Sequence, residues 1–267
     1  MHQSGLKNSL GLAWMLARRD LKNRYATNYS GIAWNVLVPL LYAMINVIVF
    51  SILMKGRMGE RYGDIPFSLF YFVPFALWAF FSEMTGRSTS ILREYGYLIN
   101  KIAFPYWVLP LVPLGSALLN QFILFCIVGV LLVTQSIMPA ASAPLFILVW
   151  LVTLVLTIGI AYGLSALAVY VPDLSQIVPV CVNILFWLTP ILYSATLVEQ
   201  DGPFWVRKLI MEYNPFSHIV EMSRQSVFGA GEVSLAALGW LALLAVVVLG
   251  LGLAVFRKLK SGFADVL

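Results

Sequence analysis

The stretch DLSQIVPVCVNILFWLTPILYS, residues 173–194, sets the interpretation of the whole chain. Its polar, proline and tryptophan residues recur at steps of three and four, which on a helix places them on one face. The residues between them are largely apolar. A membrane helix of this kind turns its polar face toward protein or water and its apolar face toward lipid. The pattern predicts one wall of a path through a membrane, formed by Gln176, Pro179, Asn183, Trp187, Pro190 and Ser194.

The composition of the chain is that of a membrane protein. The 267 residues are 61% hydrophobic and 11% charged, with a mean hydropathy of +0.88. A soluble domain would be about half apolar and about one quarter charged. The net charge of +5 comes from basic residues outside the apolar segments, so it indicates positive-inside topology rather than binding to nucleic acid.

We predict an all-α integral membrane protein of one domain with six transmembrane helices. The apolar segments are long enough to cross about 30 Å of hydrocarbon. Within the fourth span, Gly159 and Gly163 form a small-x-x-x-small pair that favours close packing with a neighbouring helix. The predicted spans are residues 31–54, 67–91, 107–134, 145–171, 174–196 and 235–256.

Residues 9–27 are predicted to form an amphipathic helix on the membrane surface. Leu10, Trp14, Ala17, Leu21 and Tyr25 follow helical spacing on one side, and four basic residues dominate the other. An anionic leaflet favours this distribution. The helix serves either as a plain anchor or as a contact surface for a partner.

Two further spans carry polar and aromatic stripes. The first stripe contains Asn35, Tyr42 and Asn46, and the second contains Tyr71 and Trp78. Aromatic residues in such stripes can instead fill helix interfaces or lie at headgroup level. The candidate lining residues of the path are Asn35, Tyr42, Asn46, Tyr71, Trp78, Asn183, Trp187 and Tyr193.

Glu83 and Arg87 are the charged residues inside a predicted span. They lie four residues apart, so they can pair on one helix face and reduce the cost of removing each from water. A structural ion pair is the preferred interpretation, and a proton carrier is the alternative.

The segment after the fifth predicted span is too polar for a span and too apolar for an ordinary loop. Asn214 and Pro215 divide it into residues 204–213 and 216–228, each too short to cross the membrane. Short helices can enter a membrane partway if protein or water covers their ends. We predict two re-entrant extracytoplasmic helices.

The distribution of Lys and Arg predicts that both termini are cytoplasmic. Arg87 is omitted as intramembrane, and the other basic residues divide ten to six in favour of the side that holds the termini. The ten are Lys7, Arg18, Arg19, Lys22, Arg24, Arg93, Lys101, Arg257, Lys258 and Lys260, and the six are Lys55, Arg57, Arg61, Arg207, Lys208 and Arg224.

The sequence predicts no catalytic or metal site and no cofactor on this chain. Its two histidines, His2 and His218, are far apart, and no glycine-rich loop ends in Lys-Ser or Lys-Thr, the signature of a phosphate-binding loop. A polar lining without its own driving chemistry requires a separate energy source. Residues 93–105, a compact cytoplasmic element between two spans, are where a partner could act.

The chain resembles the permease subunits of bacterial ABC exporters for O-antigen and capsular polysaccharide, of the type-2 exporter class. Five segments in order carry the resemblance over essentially the whole chain, although Pro172 stands where the family usually has Arg. They are RDLKNRYATNYSGIAWNVLVPL at 19–40, LINKIAFP at 98–105, PDLSQIVPVCVNILFWLTPILYS at 172–194, NPFSHIVEMSRQSVFG at 214–229 and FADVL at 263–267.

The resemblance implies a homodimer in the bacterial inner membrane that binds two copies of a cytoplasmic ATPase subunit. The ATPase subunits would bind ATP and Mg²⁺, and the complex would move a lipid-linked polysaccharide outward. Surrounding membrane lipid is the other expected partner, and nucleic acid is not. The resemblance assigns ATPase coupling to Arg93, Glu94, Tyr95, Asn100 and Lys101, and a gate to residues 204–228, including Phe204, Asn214, Pro215 and Phe216.

The substrate also has a physical rationale. Sugars present hydroxyl groups and apolar ring faces, which suit aromatic and amide side chains without fixed charge. The alternatives are an exporter for teichoic acid or a small drug, an integral membrane glycan transferase and a passive channel.

Overall fold

The computed structural model describes residues 11–20, 22, 37, 40–41, 44–49, 62, 65–99 and 105–267. Helices dominate these residues, and no strand occurs among them. Most of the predicted first span lies outside the described residues, including Asn35 and Tyr42. Its described positions 37, 40–41 and 44–48 are helical.

Eight helices position the candidate site. Residues 11–20 form α1. The others are α2 (Phe67–Glu94), α3 (Leu114–Thr134), α4 (Leu145–Tyr170), α5 (Leu174–Trp187), α6 (Ala195–Asp201), α7 (Pro215–Phe228) and α8 (Leu235–Leu259). Shorter helical turns occupy Gly96–Ile99, Tyr106–Leu111, Phe204–Arg207, Lys208–Glu212, Lys260–Gly262 and Phe263–Val266.

Among the described residues, four helical segments are long and apolar enough to cross a membrane. They are Phe67–Glu94, Tyr106–Thr134, Leu145–Tyr170 and Leu235–Val266, counted with the turns that extend α3 and α8. Each is longer than the roughly 20 predominantly apolar residues that a membrane crossing requires, and each contains a strongly apolar stretch. Their lengths and composition are those of an integral membrane protein.

The central helix of the bundle is α2, and not the 173–194 segment. α2 contacts α3, α4, α5 and α7. In its most apolar stretch of 18 residues, 72% is buried. Its aromatic side chains form much of the largest apolar cluster, where Phe70, Tyr71 and Trp78 are buried. An apolar sequence does not distinguish a helix surrounded by protein from one surrounded by lipid. The central position of α2 therefore emerges only from tertiary packing.

Small residues bring α4 and α8 close together along their length. A Cβ atom added at Gly159 would lie 2.6 Å from the Cα atom of Leu249, and one at Gly252 would overlap the carbonyl oxygen of Gly159. Gly163 lies opposite Gly252, where an added Cβ would be in ordinary contact at 3.7 Å. The predicted packing role of Gly159 and Gly163 is confirmed. The close approach maximises van der Waals contact between helices that lipid alone would not drive together.

The predicted fifth span is much shorter than expected. α5 has 14 residues and ends at Trp187, so it is about 21 Å long at 1.5 Å per residue. Pro190 explains the end, because a proline disfavours helical geometry in the residue before it and has no N–H to continue the ladder. Residues 188–194 form a turn that we name the 188–194 turn. The prediction of one helix over residues 174–196 is therefore wrong.

The chain after the 188–194 turn forms short helices with well-defined ends. Ser194 accepts a hydrogen bond from the Thr196 amide and begins α6, a helix that the sequence pattern does not predict. Asn214 accepts from the Phe216 amide and begins α7, with Pro215 at its first position. Ser and Asn are favoured residues at the N-cap of a helix, and Pro is favoured at its first position. The predicted division at Asn214 and Pro215 is confirmed.

Candidate functional site

α5 presents the predicted polar stripe on a face that the rest of the described chain leaves open. Val178 and Val182 are its buried residues, and they attach it by one edge to the rest of the bundle. Gln176, Pro179, Asn183 and Trp187 are all at least partly exposed, and we name these four residues the path face. The Trp187 side chain is 57% exposed although it is large and apolar. Within the described part of the chain, the path face is therefore available to a ligand or to another protein chain.

The remaining surface of α5 is also open and is apolar. Ile177, Val180 and Ile184 are exposed beside the path face. An exposed apolar strip next to a polar one suits a helix that meets lipid or a protein partner on one side and a path on the other. Only part of the circumference of α5 is covered within the described part of the chain.

Two members of the predicted stripe do not share this open face. Pro190 and Ser194 lie in the 188–194 turn and are buried. Tyr193 is partly exposed, and its hydroxyl donates to the Trp187 carbonyl oxygen at 3.1 Å, which closes the turn back onto the end of α5. The helical spacing that relates these residues in the sequence is interrupted because α5 ends at Trp187.

The candidate lining residues of α2 lie in the packed interior. Tyr71 and Trp78 are buried, and Trp78 packs against Phe186 of α5 and Phe216 of α7. Asn46 donates its side-chain amide to the Tyr71 hydroxyl at 3.4 Å. These positions match the alternative that the aromatics fill helix interfaces. The structure thus separates the exposed candidates on α5 from the buried candidates on α2.

Arg87 connects α1 to α2. Its guanidinium donates to Asp20 at 2.9 Å and to Glu94 at 2.8 Å. Glu83 instead accepts a hydrogen bond from the Asn120 amide at 2.6 Å. The predicted Glu83–Arg87 pair is therefore wrong, because other elements bring partners to both side chains. Leu16 of α1 joins the same junction through an apolar cluster with residues of α2 and α4.

The candidate coupling residues that the structure describes are engaged within the chain. Arg93 donates to the carbonyl oxygens of Ala168 and Val169 at 2.5 and 3.3 Å, in the last turn of α4. A cation at this end of a helix interacts favourably with its dipole and with carbonyls that have no helical donor. Arg93 thus joins α2 to α4. Glu94 remains partly exposed beside Arg87 and Ser90.

Tyr95 follows α2 and is buried in the apolar cluster that contains Leu16. Burial, followed by the nearby Asp20 carboxylate, raises the pKa of the Tyr95 hydroxyl to about 12, so it stays protonated at neutral pH. Tyr97, two residues later, is 47% exposed. Asn100 and Lys101 lie outside the described residues.

The candidate gate residues divide into exposed and buried. Phe204 is 69% exposed, whereas Phe216 packs against Phe81 of α2 with 4.1 Å between ring centroids. Asn214 donates to the Thr189 hydroxyl at 2.9 Å and to the Leu188 carbonyl at 3.3 Å. Pro215, the remaining gate candidate, is the first residue of α7. Asn214 and Phe216 therefore attach α7 to the 188–194 turn and to α2.

Arg224 is the most prominent residue that sequence reasoning missed. It is fully buried in α7, although the sequence pattern counts it among the basic residues exposed on the extracytoplasmic side. A signal was present, because Arg224 follows Val220 by four residues and precedes Val227 by three, on the same helix face. Both valines are buried.

Among the described residues, no group of three or more His, Cys, Asp or Glu residues is placed to hold a metal ion.

The long apolar helices and the open polar face on α5 define a polytopic helical membrane protein with features of a transporter. Comparison with known protein families makes the class specific. The family model of the ABC-2 type transporter matches residues 11–228, and the chain belongs to this family.

Named relatives match over nearly their whole length. The chain is 29% identical over 256 residues to the O-antigen export system permease protein RfbA of Myxococcus xanthus, covering 96% of this chain and 95% of that protein. It is 25% identical to the protein of the same name from Klebsiella pneumoniae, over 98% of both chains. It is also 23% identical to the polysialic acid transport protein KpsM of Escherichia coli, over 96% of both.

Proposed function

We propose that this chain is the transmembrane subunit of an ATP-driven exporter that moves a lipid-linked polysaccharide of O-antigen type out of the cytoplasm. The observation that carries the proposal is the open path face of α5, which joins amide and aromatic side chains on a membrane helix. Relatives named for O-antigen export and polysialic acid transport support the substrate class. The chain itself acts as a permease and not as an enzyme.

The chemistry of the path face suits a sugar polymer. Gln176 and Asn183 offer hydrogen-bond donors and acceptors without net charge, and Trp187 offers a broad apolar surface for a sugar ring. A shallow, repetitive lining lets a polymer slide, whereas a single deep pocket would retain it. Tyr193 extends this surface beyond α5.

A second copy of the chain completes the path in this proposal. The buried residues of α5 are Val178 and Val182, so within the described part of one protomer its path face has no opposite wall. A two-fold dimer would place two copies of the path face around one axis. Asn35, Tyr42 and Asn46, from the predicted first span, are further candidates for this wall.

Energy comes from a cytoplasmic ATPase subunit in two copies, which binds ATP and Mg²⁺. Its proposed contact is the last residue of α2, Glu94, and the segment that follows it, with Tyr97, Asn100 and Lys101; Glu94 and Tyr97 are exposed. Arg87 and Arg93 would pass a displacement of this segment to α1 and α4 through the bonds described above. Arg93 and Tyr95 thus act by holding the segment in place.

The proposed setting is the bacterial inner membrane with both termini in the cytoplasm. Burial of Arg224 removes it from the count of exposed basic residues on the outer side, so the bias becomes ten basic residues to five. The predicted first span, the four long segments and α5 give six membrane-inserted elements. The short helices before α7, with Phe204 exposed, and α7 itself are the proposed re-entrant gate at the outer side.

Deletion and complementation test the proposal. A strain that lacks the gene should lose surface glycan and accumulate lipid-linked polysaccharide inside the cell. Export should return when the chain is supplied together with an active ATPase from the same operon, and not with an ATPase that cannot hydrolyse ATP. Export with the inactive ATPase would contradict the proposal and indicate a passive channel.

The accumulating molecule separates the alternatives. Accumulation of teichoic acid, or loss of resistance to a small drug, would assign the chain to a different substrate within the same class. A glycan transferase would require an essential acid, base or metal ligand. Retention of function after alanine replacement of Glu83, Asp173 and His218 would argue against a transferase.

A further inference from the structure

Arg224 is a fully buried cation whose three guanidinium nitrogens each donate to a backbone carbonyl oxygen. Nε donates to Phe70 at 3.1 Å, and Nη1 and Nη2 donate to Pro190 and Ile191 at 2.7 Å each. The guanidinium carbon also lies 3.5 Å from the centroid of the Phe70 ring. One side chain of α7 therefore joins α2 to the 188–194 turn. A buried charge in a membrane protein is costly, which favours a functional explanation.

Pro74 explains why the Phe70 carbonyl is available. In a regular α-helix the amide of residue 74 donates to the carbonyl of residue 70, and proline has no amide hydrogen. A carbonyl left without a donor inside the bundle would cost free energy. The Nε–H of Arg224 occupies the position of the missing donor. The break in the α2 hydrogen-bond ladder thus becomes an attachment point for α7.

Pro190 produces the other attachment point. It ends α5, and the Leu188, Pro190 and Ile191 carbonyls that follow accept hydrogen bonds from side chains. Arg224 binds the Pro190 and Ile191 carbonyls, and Asn214 at the start of α7 binds Leu188 and Thr189. α7 therefore holds four consecutive residues of the turn. Two prolines in distant parts of the sequence create acceptors that a single helix satisfies.

The position of this contact along α2 has a mechanical consequence. Arg87 and Arg93 lie near one end of α2, and Phe70 lies near the other. The 23 positions from Phe70 to Arg93 correspond to about 35 Å of helix. α2 thus extends from the candidate coupling segment, residues 93–105, to the 188–194 turn, which follows the path face. Arg224 connects the Phe70 end of α2 to this turn.

We propose that Arg224 is a positioning residue that makes the 188–194 turn, and with it the end of α5, follow the movement of α2. The proposal rests on the export function proposed above and adds the connection between energy input and the far end of the path. Guanidinium is suited to the role because its planar fork offers donors in several fixed directions. A lysine ammonium places all its donors on one atom.

A double-mutant cycle tests the contact without any transport assay. Pro74→Ala, Arg224→Met and the double variant are compared by the unfolding midpoint of the purified full chain in detergent. The Pro74→Ala substitution supplies the missing amide to the Phe70 carbonyl, so Arg224→Met should lower the midpoint less in that background than in the native one. Equal losses in both backgrounds would overturn the proposed contact. Arg224→Lys enters the same cycle if Arg224→Met does not accumulate.

The positioning role is tested in the assembled exporter with Arg224→Gln. ATP hydrolysis should continue while export falls by about tenfold, a size typical of coupling between sites. Equal losses of export and hydrolysis, or unchanged export, would overturn the role. If the native chain shows no export with its ATPase but the cycle still shows coupling, the proposed function fails and the contact stands.

Discussion

Asp20 of α1 and Arg87 of α2 form an ion pair, with 2.9 Å between the Oδ1 and Nη2 atoms. The side chains are 8% and 20% exposed, so the pair lies at a partly buried junction and not on the open surface. Glu94 binds the other terminal nitrogen of Arg87. Arg87 therefore holds the N-terminal helix against the end of α2 that leads to the candidate coupling segment.

Asp20→Asn should weaken this junction. The substitution keeps the shape of the side chain and removes its charge, and a hydrogen bond to a charged group contributes about 1.5–3 kcal/mol. We expect a lower unfolding midpoint and weaker stimulation of ATP hydrolysis by the permease. Arg18→Gln, at an exposed position of the same helix, is the matched control. Equal effects of the two substitutions would contradict a specific role for the pair.

Arg93→Gln should destabilise the isolated chain, because Arg93 supplies donors to the end of α4. The interaction of a cation with a helix C-terminus contributes up to about 2 kcal/mol when it is partly buried. Arg93→Lys should retain part of it. The measurement is the unfolding midpoint of the chain without its ATPase. A midpoint unchanged by Arg93→Gln, combined with loss of ATPase binding, would return Arg93 to the role of a direct contact.

Gly252→Ala should separate α4 from α8. The new Cβ would overlap the Gly159 carbonyl, and overpacking of this kind costs about 1–3 kcal/mol. Gly239→Ala and Gly250→Ala are matched controls in α8, since an added Cβ meets no atom within 4 Å at either position. Their midpoints should stay at or above that of the native chain. A tolerated Gly252→Ala would show that the helices can move apart at little cost.

Asn183→Arg should stall export while leaving assembly with the ATPase intact. The larger side chain would narrow the proposed path, and its positive charge would attract anions into the path. Asn183→Gln keeps the amide chemistry and should export at close to the native rate. Glycan export and copurification of the ATPase are measured side by side. Native export by Asn183→Arg would exclude α5 from the wall.

Hydropathy predicts much of the architecture but not its arrangement. Helices occupy the predicted positions for α2, α3, α4 and α8 because long apolar runs have few other stable structures in a membrane. The sequence pattern predicts too long a helix for α5, because the apolar residues continue past Pro190. The helix itself ends before this proline. In the sequence, the stripes of α2 and α5 both consist of polar and aromatic residues at helical spacing, so the pattern does not show which one is buried. Tertiary packing buries Tyr71 and exposes Trp187.

The candidate site shows the same limit. Asn214 and Pro215 are local signals, and the start of α7 follows from them. The partners of Arg87 and Arg224 come from distant segments, so no local pattern specifies them. A charge in a short amphipathic segment usually faces water, and for this reason the sequence pattern counts Arg224 among the basic residues exposed on the extracytoplasmic side. The carbonyl acceptors that make its burial tolerable arise from Pro74 and Pro190, far away in the sequence.

The accessibility of position 183 tests the central claim most directly. Asn183→Cys is introduced into a chain with Cys126→Ser and Cys181→Ser, assembled with its ATPase, and exposed to a membrane-impermeant thiol reagent. Val246→Cys, at an exposed apolar position of α8, is the lipid-facing control. If α5 forms the wall of a water-filled path, the thiol at position 183 will react, polysaccharide in transit will protect it, and the thiol at position 246 will stay unlabelled. Failure of the thiol at position 183 to react in an exporting complex would contradict the account.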